Sequence, residues 1–271
     1  AAFSPIASIH IVNLHTTTWN AGNSGAWTDT TWTDPQPPFP NYTAQAIVNT
    51  SYTVNVASAQ EANSLALSGG GKVAISSTGS LAITNSVSVS AGGVLSIAPG
   101  SGLSASGIQL AGGTLTGSGT LAPTVTLSGG GTLDTPGGSD NLMLSFAAGG
   151  TGGLSKTGSG TATLLNNATY AGDTSIAAGR LQVNGLSSTL HSVSGAGALV
   201  VGDGATASIL TADSINIGTL TLGIGSRVVI APLPGGPQAG STSLTTVPEP
   251  STIILLIAAG LGMLFYCKKI K

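Results

Sequence analysis

A short glycine-centred mark returns along most of this chain and constrains its fold more than any other feature. It is a Gly pair or Gly-x, one variable residue, then an aliphatic residue that opens an alternating run. It stands at Gly70-Gly71-Lys72-Val73, Gly92-Gly93-Val94-Leu95, Gly112-Gly113-Thr114-Leu115 and Gly130-Gly131-Thr132-Leu133. Later versions are Ala178-Gly179-Arg180-Leu181 and Gly225-Ser226-Arg227-Val228. The middle marks lie 18–22 residues apart, at the short end of the periods that signal stacked repeats.

Between the marks, apolar residues alternate with Ser or Thr. Examples are Lys72-Val73-Ala74-Ile75, Ser80-Leu81-Ala82-Ile83, Ser86-Val87-Ser88-Val89-Ser90, Thr124-Val125-Thr126-Leu127 and Ser214-Ile215-Asn216-Ile217. A period of two places one face in a core and one in water. Gly at each mark supplies the positive φ that a tight corner needs. A single strand-and-turn unit cannot bury its own apolar face, whereas stacked units form a continuous core. The fold expected is all-β: a right-handed parallel β-helix over 51–232, with an N-terminal cap and a C-terminal transmembrane helix. A tandem of β-sandwiches is the rival, with longer strands and more varied turns. Charged residues are 6% and Gly is 41 of 271. Such composition suits disorder, but the sustained β-branched alternation argues for order.

Residues 153–183 carry a more specific pattern. They read Gly153-Leu154-Ser155-Lys156-Thr157-Gly158-Ser159-Gly160, then Thr169-Tyr170-Ala171-Gly172-Asp173-Thr174, then Gly179-Arg180-Leu181-Gln182-Val183. This resembles the autotransporter-associated β-strand repeat, a passenger-type β-helix module. Lys156, Gly158, Gly160, Leu164, Tyr170, Gly172, Thr174, Gly179 and Leu181 match its pattern. Ala162 stands where Leu is usual, and Arg180 where Thr is usual. The resemblance implies a structural role.

Residues 1–50 form a separate Trp-rich region holding Trp19, Trp27 and Trp32. Ala46-Ile47-Val48 and Tyr52-Thr53-Val54-Asn55-Val56 read as the first strands. Terminal repeats must cover the open end of a solenoid core, so capping is one use for three indoles. A stacking platform for sugar rings is the other. The Trp spacing also loosely resembles the opening of many bacterial surface β-helix proteins. Ala1, not Met, is read as the residue left when a secretory signal peptide is removed or lies outside the sequence.

The end of the chain has a different chemistry. Residues 233–246 form a Pro/Gly/Ser/Thr linker. At 247–271, Pro248-Glu249-Pro250 precedes an uncharged run and the basic end Lys268, Lys269 and Lys271. Eight large aliphatic or Phe side chains favour membrane insertion by about 2.5–5 kcal/mol. The helix would span roughly 24 Å, against a hydrocarbon core of about 30 Å. This order resembles the PEP-CTERM sorting signal of exported bacterial proteins. Pro248, Glu249 and Pro250 match the processing motif. Ile253, Leu256, Leu261 and Tyr266 lie in the membrane helix, and Lys268, Lys269 and Lys271 match the stop-transfer end. The resemblance implies transient anchoring in the inner membrane, cleavage by an exosortase, release to the cell surface or matrix, and association with exopolysaccharide or biofilm. A permanent tail anchor is the alternative. Cys267 is read as an incidental small apolar residue, with palmitoylation at the membrane edge as the alternative.

Chemistry is sparse elsewhere. His10, His15 and His191 lack metal-ligand spacing, and the single Cys permits no intrachain disulfide. No metal or cofactor is expected. Asp134 and Asp140 bracket a Gly-rich loop and are read as solvated loop carboxylates, with calcium or sugar chemistry as the alternative. Upstream of the tail only Lys72, Lys156, Arg180 and Arg227 are basic, against eight acidic residues. Nucleic acid, which needs a basic stripe, is therefore not an expected partner. The function expected is a non-enzymatic, exported structural or adhesive protein. A carbohydrate-binding or carbohydrate-active β-helix is the alternative.

Overall fold

The computed structural model describes residues 15–19, 22–29, 32–33, 43–144, 149–205, 207–230 and 242–244. The described residues form an all-β parallel solenoid of about nine turns. At a strand spacing near 4.8 Å, this gives a coil roughly 40 Å long. Each full turn has three faces. The second turn shows the plan: Thr43–Val48, Thr53–Val56 and Ala59–Ala62 lie on successive faces. They pair in parallel with Leu65–Leu67, Lys72–Ile75 and Ser80–Ile83 of the next turn. Towards the C-terminus, Ser187–Val201 and Ile209–Leu222 each run round all three faces and pair with one another.

The core is a set of inward ladders. On the first face, Val48, Leu67, Val89, Leu110 and Leu127 are successive partners. The second face stacks Val54, Val73, Leu95, Leu115 and Leu133. The third stacks Leu121, Leu144, Leu164, Val183, Val201 and Leu222. Each buried aliphatic side chain contributes about 1.5–3 kcal/mol. Alternation in the strands becomes alternation between core and surface, as in Lys72–Ile75, where Val73 and Ile75 are buried and Lys72 and Ala74 are half-buried.

Both glycines of a mark are used, for different reasons. The first glycine is left-handed in every mark, from Gly70 at φ 89° to Gly225 at φ 71°. The second in each Gly-Gly mark has no room for a side chain. A Cβ on Gly71 would run into the Val48 carbonyl, and one on Gly113 into the Val89 carbonyl.

The ends are treated differently. Trp19, Trp27 and Trp32 are all buried at the N-terminal end. Among the described residues the first strand, His15–Thr18, lies in the region expected as a cap and pairs in parallel with Thr43–Val48. At the other end Thr242–Leu244 runs antiparallel to Val228–Ile230 and breaks the parallel sequence. The stretch expected to be a plain linker therefore contributes a strand. The described residues contain no helix, and none long and apolar enough to cross a membrane. The expected membrane helix over Ile253–Tyr266 lies outside the described residues.

Candidate functional site

The strand Leu154–Thr157 places a charged side chain in an otherwise largely apolar inward ladder. Lys156 occupies the inward row between Leu133 and Ile176. Its side chain is fully buried, 0% exposed. Alternation along the strand sends Ser155 and Thr157 outward and Leu154 and Lys156 inward. Burial of an unpaired charge is expensive, so the ammonium needs partners. It donates to the carbonyl oxygens of Thr157, Gly158 (2.8 Å) and Ala178 (3.3 Å). An ammonium has three N–H donors, and three carbonyls receive them. The Ala178 carbonyl belongs to the following turn, so the lysine ties two turns together at one corner. Burial lowers the amine below the usual lysine range, and the nearby Asp134 charge opposes that shift.

Asp134 sits one turn earlier, beside this corner. Its carboxylate accepts Thr157 Oγ1 at 2.8 Å and Thr116 Oγ1 at 3.1 Å, joining three turns on the outer face. Asp140 instead accepts the Gly137 amide at 2.7 Å and closes its own loop. The two carboxylates therefore act in separate local networks. Among the described residues no group of three His, Cys, Asp or Glu side chains could hold a metal.

Tyr170 is the second large polar side chain inside the coil. It is fully buried, and its hydroxyl shares a 2.7 Å hydrogen bond with Thr174 Oγ1. Burial pushes its ionisation well above the ordinary phenol range, and the Thr174 bond opposes this. The glycines around Lys156 and Tyr170 are places of close backbone approach. A Cβ on Gly158 would strike the Thr135 carbonyl, and one on Gly172 the Gly153 amide. Ala162 is buried in the inward row between Leu142 and Leu181, while Arg180 points outward.

The Trp region is packed as a single cluster. Trp32 packs edge-on to Trp19 and Trp27, with centroids 5.2 Å apart in both pairs. The three indoles are 1–3% exposed, so no ring face is open to a sugar. The Trp32 indole N–H donates to the Trp27 carbonyl at 3.0 Å, and that of Trp19 to the Asn23 carbonyl at 3.2 Å. Main-chain bonds from Trp19 to Ile47 and from Trp27 to Asn55 dock the cluster on the next turn.

The remaining sequence-derived sites divide simply. Pro248, Glu249, Pro250, Ile253, Leu256, Leu261, Tyr266, Cys267, Lys268, Lys269 and Lys271 lie outside the described residues, as does His10. His191 Nδ1 lies 3.1 Å from Asp213 Oδ2, a cross-turn pair, with no hydroxyl bonded to Nε2 among the described residues.

A feature missed in the sequence is a shallow groove of about 330 Å³ at the corner of the first and second faces. Gly112, Gly130 and Gly153 floor it, and Thr132, Ser155, Ser175 and Asp173 stand along it.

A family model described as a passenger-associated-transport-repeat matches residues 154–183, the segment that holds both Lys156 and Tyr170. No curated protein and no solved structure matches the chain.

Proposed function

We propose that this chain is an exported, non-enzymatic rod of the cell surface or extracellular matrix. The observation that carries the reading is a passenger-type repeat set in register within a continuous parallel solenoid. The repeat's distinctive Lys156 and Tyr170 point into the core, where they serve turn stacking and are closed to substrate. Crossovers between parallel strands are right-handed in about 98% of cases, and we assign that hand to the coil.

The tail supports a route for export. Pro248-Glu249-Pro250, the apolar run from Ile253 and the lysines Lys268, Lys269 and Lys271 have the order of an exosortase substrate. In this reading the helix holds the protein briefly in the inner membrane. An exosortase then cuts near the Pro-Glu-Pro and releases the rod, which associates with exopolysaccharide in a biofilm. The second reading keeps the tail as a permanent anchor, and the short apolar run accommodates both.

The test is protease shaving and antibody labelling of intact cells. The rod reading expects the solenoid to be labelled, and its epitopes removed by added protease, without permeabilisation. Labelling only after permeabilisation would overturn it.

A further inference from the structure

We infer that the second face of the coil is a contact surface for a neutral polysaccharide lying along the rod. This rests on the surface-rod reading and adds a place and a partner class to it. Thr114, Thr132, Ser155, Ser175 and Ser194 are successive strand partners. Their side chains form one outward row, repeating at the strand spacing of about 4.8 Å. All five are partly or fully exposed. None uses its hydroxyl in a hydrogen bond among the described residues. The adjacent row differs, because Thr116 and Thr157 are both committed to Asp134. The uncommitted row is the one that borders the groove, through Thr132, Ser155 and Ser175.

The partner's chemistry follows from this arrangement. The five positions carry no charge, and Lys72 enters the row only two turns beyond Thr114, past Val94, so a polyelectrolyte gains no ion pair at the hydroxyl positions. Asp173 in the groove and Asp134 beside the row repel a polyanion. No aromatic side chain lines the groove, so a ligand that binds by stacking gains little. A chain of neutral sugars offers repeated hydroxyls that both donate and accept, as Ser and Thr do. The glycine floor lets the polymer approach the backbone. Each contact is weak, and the row multiplies them through effective concentration.

The experiment uses the full chain with amorphous cellulose as a neutral glycan and alginate as a polyanion. The triple variant Thr132→Val, Ser155→Ala, Ser175→Ala removes the central hydroxyls. Thr219→Val with Thr221→Val on the third face is the control. Retention on cellulose should fall about tenfold or more in the triple variant, equivalent to ~1.4 kcal/mol. The control should bind as the parent does, and alginate should retain neither. Circular dichroism checks the fold, and Ser175→Ala alone gives a milder version with a smaller loss. Unchanged retention of the triple variant, equal retention by alginate, or no retention of the parent would each overturn the inference. Surface labelling of the same cells separates the two readings. A surface-located protein that does not bind leaves the rod reading standing, whereas a protein absent from the surface removes that reading.

Discussion

The Lys156 ammonium donates to the Ala178 carbonyl oxygen at 3.3 Å, linking the second-face strand of one turn to the corner of the next. Two further carbonyls of its own corner complete the set. A charged side chain thereby takes an inward place in a ladder of Val, Leu and Ile. Its removal should be felt in two ways. Lys156→Ala loses stem packing and leaves three carbonyls without their donor, and should cost about 2–5 kcal/mol. Lys156→Met keeps most of the stem and removes a buried charge, and should cost less, about 1–3 kcal/mol. Denaturant titration of both variants checks the order: equal costs would contradict the stem-packing share, and a Lys156→Met variant as stable as the parent would contradict the carbonyl account.

The same lysine makes stability depend on pH with a definite sign. Its folded pKa lies below its unfolded value, mainly through burial. Between those two values the unfolded chain binds more protons, so stability rises with pH towards about 10.4. Lys156→Met should flatten that rise, as seen in thermal midpoints measured from pH 7 to pH 10.

Tyr170 acts in the opposite direction and in a higher window. Its folded pKa is raised above the unfolded value of about 10. Its contribution is therefore intact below pH 10 and is lost as pH rises further. Tyr170→Phe should abolish this alkaline loss. At neutral pH it should cost about 1–3 kcal/mol, because Thr174 Oγ1 loses its buried partner.

The second glycine of each mark should tolerate substitution poorly. Gly113→Ala places a Cβ against the Val89 carbonyl and side chain and should destabilise by about 1–3 kcal/mol or more. Gly22→Ala has open space and should stay within about 0.5 kcal/mol. Paired melting curves decide this.

At the N-terminal end, Trp27→Ala should cost about 3–5 kcal/mol by opening a cavity between Trp32 and the core. Loss of the cap should appear first as faster amide exchange in Thr43–Val48 and Thr53–Val56. Uniform exchange along the whole coil would contradict a capping role.

Much of this architecture was legible because its rules are local. Gly70, Gly92, Gly112, Gly130, Gly179 and Gly225 were read as corners, and all six take positive φ. Lys72–Ile75, Ser80–Ile83 and Ser86–Ser90 fall where alternation placed them. The inward position of Lys156 was also present in the pattern, since it follows Leu154 by two. Its charge masked the signal, because a lysine is ordinarily assigned to water. For the Trp cluster the sequence left capping and sugar stacking both open, because the exposure of the rings is decided by tertiary packing. The groove was not readable: it arises where successive turns align, and that alignment depends on contacts about 20 residues apart. The same holds for Thr242–Leu244, whose antiparallel pairing is a long-range choice within a segment of turn-forming composition.

The most direct test of the proposed surface rod is the intact mass of the cell-associated and released protein, with and without the exosortase. A variant with Pro248, Glu249 and Pro250 replaced by Ala is measured beside them. The account predicts a surface form lacking Ile253–Lys271 in the parent strain, and a full-length membrane form in both controls. A protein that retains Lys271 on the membrane in every strain would contradict release and leave only an anchored solenoid.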